Sequence, residues 1–268
     1  MSYEFWKQHQ DELYQMYYID GMSTTEIGKH FGCYSSTISS NMKRVGYTLR
    51  KVTAGTRINA KYKIDSNYFN CIDTADKAYV LGFISSDGHV SKQGSLMFSQ
   101  KDTDEDVLIK INQAMGSNYP ITPKNKIYSN LTIHDEQIAF DLRRIGLNNT
   151  KSKWFDFHKV ISHVPDIFIR DYIRGLFDGD GSICIYEYDY FKNPYVHFGF
   201  TGIIDSVMYV SEYFKLETKI VDEGSGIFTC RSSDKNKIAA AGHKMYDDAS
   251  IYMNRKMASF NKVYNLIS

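Results

Sequence analysis

The sequence predicts an α+β chain in which one helix-into-strand unit is used twice, behind a small all-α module. Three observations carry the prediction. Tyr79-Val-Leu-Gly-Phe-Ile-Ser-Ser-Asp-Gly-His-Val90 and Tyr172-Ile-Arg-Gly-Leu-Phe-Asp-Gly-Asp-Gly-Ser-Ile183 start 93 residues apart, and both run apolar residues into small ones, then Asp-Gly, then a strand-like segment. Period-two alternation follows each copy. Ahead of both stand short amphipathic segments punctuated by glycine, the mark of a small helical module.

The module is read first. Phe5, Trp6, Leu13, Met16 and Tyr17 recur at helical spacing as far as Ile19, and Asp20-Gly21 ends that helix. Ser23-Thr-Thr-Glu26 has the form of a capping box, which starts a short helix closing at Phe31-Gly32. A further helix begins near Ser35 and runs through Ile38 and Met42 to Val45-Gly46. A helix, a glycine turn and a helix bearing Ser35, Ser36, Thr37, Ser39, Ser40, Asn41, Lys43 and Arg44 read as helix-turn-helix. Met22 to Arg50 resembles the DNA-binding modules of resolvases and small repressors. That resemblance puts short polar side chains at base edges and Lys43 and Arg44 near phosphates; a three-helix protein-binding domain is the alternative. The domain is expected over 1–50, with a basic linker over 51–64. No acid occurs from Lys43 to Ile64, and Arg50, Lys51, Arg57, Lys61 and Lys63 suit a segment that tracks a nucleic-acid backbone.

The first doubled unit is expected over 65–163. Its helix starts near Asp73-Thr74 and ends at Asp87, where the following glycine suits the left-handed residue that closes a helix. Leu96 and Phe98 alternate with Met97 and Ser99, and Asp102 to Met115 reads as a helix with an acidic start. In Lys126 to Ile133, Ile127, Leu131 and Ile133 fall on one strand face, with Lys126, Tyr128, Asn130 and Thr132 on the other. Asp135 to Ile145 is helical with Ile138, Leu142 and Ile145 inward. The second unit, over 164–268, repeats the plan. Tyr186, Tyr188 and Tyr190 share a strand face, Val196, Phe198 and Phe200 form the apolar face of the next strand, Val207 to Phe214 is a crossing helix, and Ile227 to Arg231 closes the sheet.

Gly82 and Ser86 in one motif, and Gly175 and Gly179 in the other, lie four apart and share a helix face. Small residues at that spacing let two backbones approach. Asp87 and Asp180 then emerge together at the helix ends, where a carboxylate is disfavoured by the negative end of the dipole. Two acids in that position repel, and a divalent cation with hard-oxygen preference removes the conflict. An acid pair holding metal beside a scissile phosphate is a recurring arrangement for phosphodiester hydrolysis. Asp178, Asp180 and Ser182 do not form a calcium loop, because its sixth position is Ile183 rather than glycine.

Val80 to Gly88 and Ile173 to Gly181 resemble the motif of the LAGLIDADG homing endonucleases, whose eighth position is the metal-binding acid; Asp87 and Asp180 fall on it. The resemblance implies tandem αββαββα halves related by a pseudo-two-fold axis, acting as a monomer. It further implies a metal-dependent staggered double-strand break at a long double-stranded DNA site, with Mg²⁺, as two or more ions, shared between the acids. The motifs depart from the pattern at Ser85, where an acid is usual, and at Arg174, where a small or apolar residue is usual. Met245-Tyr-Asp-Asp-Ala-Ser-Ile-Tyr-Met-Asn-Arg-Lys256 resembles the family's C-terminal pattern. By that resemblance Lys256 and Lys151, with Lys153 as substitute for the latter, support the attacking water, while the polar strand faces meet DNA through Lys126, Tyr128, Asn130, Tyr186 and Tyr188. A non-cleaving transcriptional regulator of the same fold is the alternative function, and an RNA-splicing maturase is a third.

Composition bounds these readings. The net charge of +1 conceals nine Lys/Arg against five Asp/Glu in residues 1–64, leaving 23 against 26 in the other 204. An acidic catalytic region counts against DNA binding only if it also lacks a basic face. Cys33, Cys71, Cys184 and Cys230 have no metal-site spacing, and the first residues lack a signal peptide's apolar run. A reducing, intracellular setting without membrane insertion is the expectation.

Overall fold

The computed structural model describes residues 3–20, 22–47, 49, 61–91, 94–147, 156–187 and 194–267. Arg50, Lys51, Arg57, Lys151, Lys153, Tyr188 and Tyr190 lie outside the described residues. The chain divides into two compact units, Met1–Lys63 and Ile64–Ser268. Among the described residues no helix is long and apolar enough to cross a membrane.

The N-terminal unit buries Trp6, Leu13, Met16, Tyr17, Ile27, Ile38 and Met42 in a core of its own. The stretch expected as one helix to Ile19 is instead two short helices, Tyr3–Gln8 and Gln10–Tyr14, followed by a π-helical turn, Gln15–Ile19. His9 marks the break, its ring Nδ1 lying 2.8 Å from the Phe5 carbonyl. The capping box forms: Glu26 N–H donates to Ser23 Oγ at 3.2 Å and Ser23 N–H donates to Glu26 Oε2 at 2.8 Å. Helices Thr24–His30 and Ser35–Arg44 follow. Gly28 lets the turn fold back, since a Cβ there would stand 2.5 Å from the Cys33 carbonyl oxygen, and Gly32 takes φ +67° within the turn.

The Ile64–Ser268 unit contains αββαββα twice. The first copy is helix Ala75–Asp87, β1 (Gly88–Val90), β2 (Ser95–Lys101), helix Glu105–Ala114, β3 (Ile121–Pro123), β4 (Tyr128–His134) and helix Glu136–Ile145. The second is helix Ile169–Asp180, β5 (Gly181–Tyr186), β6 (Tyr195–Gly202), helix Ile204–Tyr213, β7 (Ile220–Gly224), β8 (Ile227–Ser232) and helix Lys235–Tyr246, with helix Asn254–Asn265 after it. Each copy forms one antiparallel sheet, in the orders β1-β2-β4-β3 and β5-β6-β8-β7. The register matches across copies, Gly88 pairing with Phe98 and Gly181 with Phe200. One apolar core joins both inner sheet faces, through Phe98, Leu131 and Ile133 in one and Val196, Phe198 and Phe200 in the other, to the helices.

Two local expectations are corrected. Gly88 and Gly181 are not left-handed caps: their φ/ψ values of −78°/156° and −81°/160° are extended, and each opens a strand. Glycine is needed there for space, because a Cβ would meet the Ile84 backbone at 2.7 Å or the Phe177 ring at 2.2 Å. Ile127 does not share the inner face of β4; it is 58% exposed, and with Lys126 it lies in the β3–β4 turn, where the strand alternation has not begun.

The two motif helices form the centre of the unit. A Cβ on Gly82 would stand 2.0 Å from the Tyr172 carbonyl oxygen, and one on Gly175 would stand 2.1 Å from that of Tyr79. Backbone thus packs on backbone at two symmetric points, closer than any side chain permits. Farther down, a Cβ on Gly179 would stand 1.9 Å from Ser86 Oγ. Replacing Gly82 or Gly175 by Ala should cost at least the upper end of the roughly 1–3 kcal/mol of ordinary overpacking, since a carbonyl cannot rotate aside. Denaturant unfolding checks this; unchanged stability would mean that the helices do not pack on this face.

Candidate active site

Asp87 and Asp180 are the last residues of the paired helices, delivered there by the small residues that bring the helices together. A Cβ on Gly179 would lie 3.4 Å from the Asp87 carboxyl carbon, so the first acid sits against the residue preceding the second. Asp87 is half-buried and Asp180 exposed. Gln100, buried at the end of β2, donates from Nε2 to Asp87 Oδ2 at 2.7 Å.

Beneath the acids lies a buried polar network. Asp178 is fully buried and accepts from Tyr79 OH at 2.7 Å, Tyr246 OH at 2.6 Å and Met253 N–H at 2.8 Å. Burial raises its carboxyl against the opposing pull of Lys256 and these donors. Lys256, only 2% exposed, points its ammonium at the end of the second motif helix and donates to the carbonyls of Phe177, Asp178 (2.6 Å) and Gly179 (3.4 Å). It thereby occupies a place where a helix dipole favours a cation. Burial lowers its pKa from 10.5 to about 8 despite the attraction of Asp178, Asp87 and Asp180. Arg174, wholly buried, donates to Asp171 at 2.7 Å and to the carbonyls of Met245 at 2.8 Å and Ile251 at 2.9 Å. The two departures from the motif are now accounted for locally. Arg174 fastens the Met245–Ile251 segment, and Ser85 accepts from Tyr172 OH at 3.2 Å in the position where Asp178 accepts from Tyr79.

Comparison with solved structures finds the same architecture. The DNA-bound meganuclease I-SmaMI, with an uncleavable target whose central four bases are TTCT, superposes with a TM-score of 0.51 at 12% identity over 70% of this chain and 88% of that one. I-SmaMI on an uncleaved target with calcium gives 0.51 at 13%, over 70% and 89%. The LAGLIDADG meganuclease I-CpaMI on uncleaved DNA gives 0.51 at 14%, also over 70% and 89%. The chain has the LAGLIDADG homing-endonuclease fold. Neither a protein-family profile nor a curated protein sequence matches it.

In this LAGLIDADG fold the outer sheet faces lie beside the acids. On the first sheet, Tyr128, Asn130 and Thr132 alternate with the buried Ser129, Leu131 and Ile133, and the register sets Asn130 opposite Ser99 and Thr122. Asn130 Oδ1 is buried with no hydrogen-bond partner among the described residues. On the second, Tyr186 is 44% exposed and packs by Tyr195 with ring centroids 6.2 Å apart. His89, Ser99 and Lys101 on the first sheet, and His197 and Arg231 on the second, share these outer faces and escaped sequence reading. The parity of Leu96 and Phe98, or of Val196 and Phe198, was signal enough to find them. In the N-terminal unit Ser36, Ser40, Lys43 and Arg44 are exposed, whereas Ser35, Thr37 and Ser39 are half-buried and Ser39 donates to the Ser35 carbonyl at 3.0 Å. Among the described residues no group of three or more His, Cys, Asp or Glu gathers.

Asp178→Ala leaves the hydroxyls of Tyr79 and Tyr246 and the Met253 N–H buried without their acceptor and should cost about 1–3 kcal/mol for each stranded donor in denaturant unfolding. Lys256 also carries a pH signature. Between about pH 8 and its ordinary 10.5 the folded chain binds fewer protons there than the unfolded chain. Stability referable to Lys256 therefore rises with pH across that window and is flat below it. Melting curves of wild type and Lys256→Met should diverge accordingly, wild type gaining on the variant above about pH 8; parallel curves would place the ammonium in water.

Proposed function

We propose that this chain is a site-specific DNA endonuclease that cuts both strands of a long target, Asp87 and Asp180 each serving one strand. The observation that carries the reading is the meeting of two carboxylates at the adjoining ends of helices packed backbone to backbone, flanked by two hydrogen-bonding sheet faces. The matching meganuclease structures hold uncleaved or uncleavable DNA, which supports the same use of this fold.

The charges at the site fit a divalent cation. Asp87, Asp178 and Asp180 all attract the single ammonium of Lys256, and that ammonium is already engaged by helix carbonyls. Mg²⁺, which suits hard oxygens and retained water, would be held by Asp87 and Asp180 and would supply neutralisation of the phosphate and a more acidic water. In the hydrolysis the water oxygen bonds to phosphorus as one P–O ester bond breaks. One water proton ends on the leaving oxygen, giving a hydroxyl and a phosphate monoester. Gln100 fixes the orientation of Asp87, and Lys256 holds the end of the helix that presents Asp180. Lys151 is the proposed counterpart of Lys256 in the first half.

Lys126, Tyr128, Asn130 and Tyr186 are proposed to contact the duplex. Helix Ser35–Arg44 is proposed to lengthen the site, with Ser36 and Ser40 at base edges and Lys43 and Arg44 on phosphates. One chain supplies both acids, so a monomer suffices.

The test is cleavage of the DNA that surrounds this protein's own coding sequence, with that sequence deleted, using Mg²⁺, Ca²⁺ or EDTA and sequencing the ends. Staggered cuts at one site with Mg²⁺ are expected. Asp87→Asn should abolish or cripple cleavage and leave binding nearly intact; a gel shift without a cut across many sites would point to a regulator. Replacing Lys43 and Arg44 together by Ala should lower the log–log salt slope of binding by about 2, roughly 0.9 per phosphate contact. An unchanged slope would remove the N-terminal helix from the interface.

A further inference from the structure

The outer face of the second sheet carries an ion pair. The register sets Ser182, Gly199 and Arg231 in one row across β5, β6 and β8, and Ser182 is the second residue after Asp180. Arg231 donates from a terminal nitrogen to Glu223 Oε1 at 2.5 Å, with about half of its side chain exposed. Glu223 stands where the pairing of β7 with β8 slips by one residue, Asp222 lying opposite Phe228 and Gly224 opposite Ile227. A slip of this kind on an edge strand re-aims a side chain, and here it turns the carboxylate along the sheet to the arginine.

The pair is not a requirement of the fold. By the same register the corresponding places of the first half hold Thr132 and Lys124, and Lys124 donates to Ser99 Oγ at 3.4 Å. A solvent-exposed ion pair stabilises a protein little, and a carboxylate on a face that meets phosphates repels them. Base chemistry gives the pair another use. The guanidinium fork keeps further N–H donors beyond the one that Glu223 takes, and Glu223, which accepts through Oε1, keeps Oε2. Two donors therefore stand beside an acceptor. In the major groove that order matches a G·C pair, whose guanine offers O6 and N7 and whose cytosine offers its N4 amino group. Over an A·T pair the same groups would set guanidinium N–H against the adenine amino group and carboxylate against thymine O4. The neighbours leave room for a base edge. Gly199 has no side chain, and a Cβ on it would stand 2.8 Å from Ser182 Oγ; Thr229, on the same strand face, is buried and shares a hydrogen bond with Thr201 at 3.1 Å.

We propose that Arg231 and Glu223 together read one G·C base pair of the target, guanine under the guanidinium and its cytosine under the carboxylate, in the half-site that meets the second sheet. Arg231 is the specificity-determining residue, and Glu223 aims it. The proposal rests on the reading that the outer sheet faces meet double-stranded DNA and deepens it; it does not require cleavage.

The experiment uses the full chain and a pool of duplexes of random sequence, selected for binding in Ca²⁺, so that a site is obtained without cutting; each base pair of that site is then varied singly. Wild type should lose about ten- to a hundredfold in affinity when one G·C pair becomes A·T, the range of a bidentate base contact. Arg231→Ala should abolish the preference at that position and leave the preferences at the others as they were. Arg231→Lys keeps the charge but loses the fork, so it should hold the log–log salt slope of binding and lose most of the preference. Glu223→Gln should weaken the preference at the same position severalfold. Both side chains face solvent, so these variants leave the core untouched. A site in which no G·C preference responds to Arg231→Ala, or a uniform loss across positions with the salt slope lower by about 0.9, the mark of a phosphate contact, would overturn the proposal with DNA binding intact. A preference unmoved by Glu223→Gln would overturn the joint reading. No duplex enriched by the wild-type chain would overturn the DNA-binding reading and this inference with it.

Discussion

The contact on which the Ile64–Ser268 unit depends is backbone against backbone, where Gly82 lies under the Tyr172 carbonyl and Gly175 under that of Tyr79. Because neither glycine has a Cβ, the helix axes come close enough for each tyrosine hydroxyl to reach the other helix, Tyr79 to Asp178 and Tyr172 to Ser85. Those crossed hydrogen bonds fix the helices along their length as well as across it. Their ends, and so Asp87 and Asp180, follow. A single rotation or one-turn slide would separate the carboxylates, which is why the acid pair belongs to the packing and not to either helix alone.

Much of this was legible because it is local or periodic. The capping box at Ser23 and Glu26 is a statement about neighbouring N–H groups, the alternation of Val196, Phe198 and Phe200 is a strand face, and four-residue spacing put Gly175 and Gly179 on one side of a helix. The function of the glycines after each acid was misread because left-handed φ is the commonest reason for glycine at a helix end. Here the reason is tertiary, namely the Ile84 backbone and the Phe177 ring, which no local pattern announces. Gln100 was missed for a related reason. On parity alone it belongs to the inner face with Phe98, and only the third dimension shows that the end of β2 passes under Asp87. Arg174 and Ser85 looked like blemishes in a motif. They are responses to partners 71 and 87 residues away, at Met245 and Tyr172.

The C-terminal segment supplies what the repeat lacks. Arg174 and Asp178 hold it from the second motif helix, while on its other side Arg255 pairs with Asp104 at 2.9 Å, Lys110 donates to the Tyr252 carbonyl at 2.7 Å and to Asn254 at 2.6 Å, and Ser250 donates to Asp76. Residues 250–256 therefore bridge the two halves. A duplicated unit would by symmetry place the same groups on both sides of its axis, and a segment that crosses the axis breaks that equality.

Both motif helices face one electrostatic problem, an aspartate placed on the already negative end of a helix. Each half meets it differently. At Asp180 the carbonyls just before the acid are held by the buried ammonium of Lys256, so the dipole is offset from within and the carboxylate is left exposed to solvent. At Asp87 the acid is half-buried and takes a neutral donor from Gln100, which orients the group without cancelling its charge. The first arrangement neutralises the helix end and the second disciplines the side chain. Identical backbones can thus carry different surroundings, because the backbone sets where the acids meet while the groups packed behind the helix ends differ between the halves.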